Sequence, residues 1–214
     1  MNYFNKLSLR HISFLLKSIG LYLVVSLLVQ CNSEIDINKL PAYSESGHLN
    51  CIVEIPAGTN KKIEYNKTAK AFEIDQRDGK DRVISFLPYP GNYGYISATY
   101  SDPEKGGDGD GLDVLIISEA IPTGSIVEAI PVGMLKLIDA GEFDYKIICI
   151  PADPALQTVK ATTFIDLQTN YPGLLDIIQD WFLSYDPKDN PKTEGWGDEL
   201  EAKKEIRTSL KTTS

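Results

Sequence analysis

The chain has 214 residues, with 21 Lys+Arg against 30 Asp+Glu, a formal net charge of −9. This acidity argues against a nucleic-acid partner, because it repels phosphate backbones. The His (His11, His48) and Cys (Cys31, Cys51, Cys149) are too few for a His/Cys zinc site or a disulfide framework, and no motif surrounds His48 as a Ser-His-Asp triad needs. Chemistry must therefore run on carboxylates, Lys, Arg and Tyr, a donor set suited to hard cations bound through oxygen.

Residues 1–30 carry Lys6, Arg10 and Lys17 and no acid, which leaves the remainder with 18 basic against 30 acidic residues, or −12. An apolar run from Ile19 to Val29 follows the basic start, the pattern of a secretory leader. The run is short of the ~20 residues a spanning helix needs. Leu28 and Cys31 resemble the lipobox of bacterial lipoproteins, in which the Cys is lipidated. Gln30 departs from it, since a small residue is usual there. An uncleaved signal anchor and a buried N-terminal helix of a cytoplasmic protein are the other readings. The expectation is an exported lipoprotein facing the periplasm or exterior, anchored to the membrane by Cys31. Residues 31–47 are polar and read as a tether, leaving 48–214 as one domain with a sizeable core.

Strand signals fill 50–150. "CIVEI" (51–55), "KAFEID" (70–75), "DRVISF" (81–86), "DVLIIS" (113–118), "SIVEAI" (125–130), "GMLKLID" (133–139) and "YKIICI" (145–150) are short, rich in β-branched residues and bounded by turns. Short strands at regular spacing predict an antiparallel barrel or sandwich. Later, Leu174, Ile177, Ile178, Trp181 and Phe182 mark a helix face over 174–183, with Asn170 or Thr169 as its cap. A second helix is expected over 199–210, from a capping box at Asp198 and Glu201 and an i,i+4 pair of Glu199 with Lys203. The fold class is mainly β with flanking helices (α+β).

Three segments carry chemistry. In "DPEKGGDGDGLDVLIIS" (102–118), Asp108, Asp110 and Asp113 lie on a Gly-rich loop entering a strand, so three carboxylates can converge. Their mutual repulsion would be relieved by a divalent cation. A solvated acidic turn or a structural calcium site are the alternatives, although the EF-hand pattern fails at Leu112. "IDAGEFDYK" sets Asp139 and Asp144 around a turn, with Lys146 beyond; by itself this reads as an ordinary hairpin tip. "LPYPGNYGYI" (87–96) packs three Tyr among Pro and Gly, either as hydroxyl donors to an anion or as a packed turn.

Taken in order, "VEIP", "KIE", "YPGNYGY", "DGDGLDVL" and "PVGMLKLIDAGEFDYK" resemble the soluble family I inorganic pyrophosphatases over roughly 51–210. The resemblance implies an OB-like closed antiparallel β-barrel and Mg²⁺-dependent hydrolysis of inorganic diphosphate, with several Mg²⁺ ions for which Mn²⁺ or Zn²⁺ can substitute. It implies metal-linked carboxylates at Glu54, Glu64, Asp108, Asp110, Asp113, Asp139 and Asp144, with Asp110 also the general base on an activated water. Lys62, Arg82, Tyr93, Lys146 and Tyr185 would contact phosphate, with Tyr89 beside them. A homo-oligomer is implied too. Two departures stand out. Arg82 is one residue short of its usual spacing to Tyr89, so either a bulge restores its reach or Arg77 serves. Asp186 stands where the family has Lys, so Lys188 is the candidate to replace it. A catalytically impaired relative or a calcium-binding β-domain at the cell surface are the alternatives, and an OB-like strand binder lacks the basic groove it would need.

Overall fold

The computed structural model describes residues 36–211. The leader, Cys31 and the start of the tether lie outside the described residues. In chain order the strands are β1 (Leu49–Ile55), β2 (Ile63–Asn66), β3 (Ala71–Ile74), β4 (Gln76–Arg77), β5 (Lys80–Asp81), β6 (Asn92–Ile96), β7 (Asp113–Ile116), β8 (Ile126–Asp139), β9 (Glu142–Phe143), β10 (Lys146–Pro151) and β11 (Lys192–Gly197). Three helices follow in the C-terminal part: α1 (Phe164–Asn170), α2 (Pro172–Ser184) and, after β11, α3 (Glu199–Ser209).

The main sheet runs β1–β6–β7–β10–β8–β11, with β9 paired to the end of β8. β1 also pairs β8, so strand pairing leads from β1 round to β8 and returns to β1. The expectation that every pair is antiparallel fails once, because β7 and β10 are parallel. β8 intervenes between them in the chain, so they are joined by a crossover rather than a hairpin, the connection a parallel pair requires.

Residues 125–130 and 133–139, expected as two strands, are one 14-residue strand, β8. Pro131 lies inside it, opposite Cys149, where the β8–β10 register slips. A bulge is where a sheet tolerates a missing N–H. "DRVISF" largely fails as a strand. Only Asp81 belongs to one, Val83 makes a single bridge to Lys61, and Phe86 is exposed. β-propensity without a facing partner does not make a ladder. Conversely, the Tyr-rich segment contains β6, seated between β1 and β7. A Cβ on Gly94 would stand 1.9 Å from the Ile52 carbonyl oxygen, so β1 and β6 can approach here only without a side chain.

Apolar residues fill both faces of the sheet. On β10, Ile148 and Ile150 join a cluster with Leu167 of α1 and Leu175, Ile178, Trp181 and Phe182 of α2, while Ile147 and Cys149 join Ala202 and Ile206 of α3. A strand buried on both faces reads as an unbroken apolar run, as "IICI" does. On α2 the buried face is shifted from the one expected: Leu175 is buried and Ile177 is 59% exposed. The expected cap at Asn170 or Thr169 is absent because those residues belong to α1, which Thr163 and Asp166 cap reciprocally, and α2 starts at Pro172 without a side-chain cap. The Asp198–Glu201 capping box forms as expected. Glu199 accepts from the Phe164 N–H at 2.8 Å instead of pairing with Lys203. Residues 40–42 of the expected tether are bonded to the domain: the Leu40 carbonyl accepts from the Ser97 hydroxyl at 2.6 Å and that of Pro41 from Asn50 Nδ2 at 3.0 Å.

Candidate active site

The parallel β7–β10 pair sets Asp113, the first residue of β7, at the same end of the sheet as Asp144 and Lys146 at the start of β10. The loop before β7 adds Asp108, whose Oδ1 accepts the Asp110 N–H at 3.0 Å in a tight Asx turn. Gly109 at φ +87° completes that turn. One carboxylate oxygen from each of Asp108, Asp113 and Asp144 lies within 4.8 Å of the others. Asp110, expected among them, stands outside this trio: its side chain is 76% exposed, and Lys67 Nζ approaches it at 3.5 Å.

Buried Lys146 ties two of the trio together. Its ammonium donates to Asp113 Oδ2 at 2.5 Å and to Asp144, and the Tyr93 hydroxyl donates to the same Asp113 oxygen. Burial opposes the charge of Lys146, but the Asp113 and Asp144 carboxylates outweigh it and raise its pKa. Burial pushes Asp113 up to about 6 even with Lys146 pulling the other way. Burial also raises Asp108 and Asp139 and drives Glu54 up to about 8, although Glu54 accepts the Tyr65 N–H.

These groups line one cavity of about 510 Å³. Every site residue expected from the sequence within the described residues lines it: Glu54, Lys62, Glu64, Arg82, Tyr93, Asp108, Asp110, Asp113, Asp139, Asp144, Lys146 and Tyr185. Nine carboxylates and six cationic side chains face this space. Tyr93, expected to donate to phosphate, is instead bonded to Asp113. Lys62 Nζ pairs with Glu64 Oε1 at 2.8 Å. The Tyr185 ring stacks on Trp181 at 4.7 Å, and burial pushes its hydroxyl up to about 12. Arg82 and Arg77 both line the cavity and both are bonded to Asp186, whereas Lys188 does not line it.

A divalent metal fits this donor set. Its oxygens are hard ligands, three converge, and Asp139 Oδ1 is buried without any hydrogen-bond partner among the described residues. A bare buried carboxylate oxygen costs free energy that a cation would recover. The sequence did not mark Lys67, Glu142 or Lys211, which also line the cavity. Lys211 arrives through long-range contacts, its N–H bonded to the Ala98 carbonyl beside a Thr99–Leu210 bridge. No local motif encodes such a contact.

Comparison with known proteins gives a consistent result. The inorganic pyrophosphatase family model matches residues 51–214. The inorganic pyrophosphatase of Neisseria meningitidis serogroup B is 35% identical over 178 residues, 82% of this chain and 95% of the relative. That of a Synechocystis species is 38% identical over 169 residues, 76% and 90% of the two chains. Among solved structures, an inorganic pyrophosphatase from Neisseria gonorrhoeae superposes with a TM-score of 0.68 at 34% identity, covering 82% of this chain and 97% of that one. A truncated Trypanosoma cruzi vacuolar soluble pyrophosphatase in complex with PPi gives 0.72 at 26% identity, covering 80% and 75%.

Proposed function

This chain belongs to the inorganic pyrophosphatase family, and from that premise we propose how its cavity hydrolyses inorganic diphosphate to two phosphates. The observation that carries the reading is one cavity with a convergent carboxylate trio on one side and Lys62, Arg77 and Arg82 among its other lining groups. Asp108, Asp113 and Asp144 would hold divalent ions, Mg²⁺ in our reading, with Asp139, Glu54 and Glu64 as further ligands. When bound, such ions reverse the sign of the acidic wall, neutralise substrate charge and lower the pKa of a water. Asp110 would take the proton of an attacking water, a role open to it because it is exposed and outside the trio. Lys62, Arg82 and Tyr185 donate to the phosphate oxygens, which gain charge as the bridging P–O bond breaks. Lys146 and Tyr93 fix Asp113, and the Lys146 ammonium would add positive charge to the phosphate site.

Mg²⁺-dependent phosphate release by the chain, abolished by EDTA, is the expected result; equal rates in the two conditions would defeat the reading. Stabilisation by Ca²⁺ without hydrolysis in Mg²⁺ would mark a calcium-binding domain instead. We read the ring of strand pairs as the OB-like closed barrel and the domain as one subunit of a homo-oligomer. The basic start and apolar run of residues 1–30 support export and lipid attachment at Cys31. Mass spectrometry of the protein from membranes should then find a lipid-modified N-terminal Cys31, and an intact Met1 in the soluble fraction would refute it.

A further inference from the structure

An alternating chain of charges borders the cavity. Asp75 Oδ2 accepts from Arg82 Nη1 at 3.0 Å, and Arg82 Nη2 donates to Asp186 Oδ2 at 3.3 Å. The same Asp186 oxygen accepts from Arg77 Nη1 at 2.8 Å, and Arg77 Nη2 donates to Asp189 Oδ2 at 3.2 Å. The chain ties the β4–β5 hairpin to the segment leaving α2. Two guanidiniums therefore share one carboxylate oxygen, and each disfavours the charge of the other. Burial opposes the charged form of Asp186, but Arg77 and Arg82 outweigh it and hold its carboxyl below the ordinary range.

Both guanidiniums line the cavity, whereas Asp186 does not. Each has given two of its five N–H donors to carboxylates among the described residues, so three remain for an anion. Mutual repulsion makes a pair of unbraced guanidiniums splay apart, and a shared carboxylate behind them removes that tendency. A braced pair offers planar forked donors matched to phosphate oxygens. We propose that Arg77 is a second phosphate-binding guanidinium beside Arg82, and that Asp186 is the positioning residue that holds the pair. The inference rests on the diphosphate-hydrolysis reading and adds to it a residue with no role there.

The test uses the full chain with Mg²⁺, reading KM and kcat for pyrophosphate and, separately, the affinity for inorganic phosphate by calorimetry. Arg77→Ala should raise KM and weaken phosphate binding about tenfold while kcat changes by less than about threefold, and Arg77→Lys should recover part of the loss. Asp186→Lys alone should weaken both, because it sets a third cation against the guanidinium pair. Combining Arg77→Ala with Asp186→Lys should return both toward wild type, because one new ammonium then replaces one lost guanidinium while Arg82 keeps Asp75. Thermal midpoints confirm that each variant is folded. Unchanged KM and phosphate affinity in Arg77→Ala, tighter binding in Asp186→Lys alone, or no recovery in the double variant would each overturn the proposal. Failure of the unmodified chain to hydrolyse pyrophosphate would instead count against the hydrolysis reading, and the phosphate titrations would still decide the role of Arg77.

Discussion

Asp110 and Lys146 are opposite cases of how a single side chain serves this cavity. Asp110 is exposed and makes one long contact, with Lys67, so the fold asks little of it. Asp110→Asn should therefore leave the thermal midpoint unchanged and lower kcat by about 10²- to 10⁴-fold, the range of a general base. Stopped-time phosphate assays and a melting curve check both halves. Lys146 is buried and bonded to two carboxylates, so it carries structure as well as charge. Lys146→Met would leave Asp113 and Asp144 buried without their cation. Removing one partner of a buried pair costs about 3–5 kcal/mol, and Mg²⁺ should restore part of that by supplying the missing charge. Urea denaturation with and without Mg²⁺ measures it.

Among the elements, β6 shows how the site is framed. Asn92 at its start is fully buried, and its side chain ties β6 to two other segments, at Ala57 and at 118–121. Oδ1 accepts from the Ala57 and Ile121 N–H groups at 3.1 and 2.7 Å, and Nδ2 donates to the Ser118 hydroxyl and the Glu119 carbonyl at 2.9 Å each. Asn92→Ala would leave two part-buried N–H groups without their partner, toward the lower end of ~1–3 kcal/mol each, so a loss of about 2 kcal/mol is expected by urea unfolding, with Tyr93 displaced and KM raised. The sequence had marked this segment for its Tyr residues but not as a strand, because its Gly, Pro and Asn content reads as turn. Only the contact of Gly94 with the Ile52 carbonyl, distant in sequence, makes sense of the pattern. The acidic loop and β10 were legible because Gly spacing and unbroken apolar runs are local signals. The parallel β7–β10 pairing that unites Asp113 with Asp144 was not, since strand direction depends on a crossover that no short window contains. The same holds for Arg77 and Asp186, 109 residues apart and joined only in three dimensions.

At the scale of the whole molecule, the acidic body must stay folded both with and without its counter-ions, and pH separates the two states. Glu54 is pushed from 4.5 to about 8 and Asp113 from 3.8 to about 6, in both cases chiefly by burial. A carboxyl with a raised folded pKa binds its proton more tightly in the folded chain than in the unfolded one. Its contribution to stability is complete below the unfolded value and is lost as pH climbs through the folded value. For Asp113 that loss spans roughly pH 4 to 6, and for Glu54 roughly pH 4.5 to 8. Carboxyls held low by ion pairs, such as Asp186, are already ionised across this window and do not offset the loss. The metal-free protein should thus weaken steadily between about pH 5 and pH 8. A bound divalent ion favours the ionised carboxylates, so its affinity should rise over the same interval, with protons released on binding. Urea midpoints in EDTA should fall from pH 5 to pH 8, while those in saturating Mg²⁺ hold steady or rise, so the gap between the curves widens with pH. Parallel curves would mean that Glu54 and Asp113 do not meet the ion, and the cavity would then have to gather its metal through Asp108, Asp144 and the further carboxylates Asp139 and Glu64.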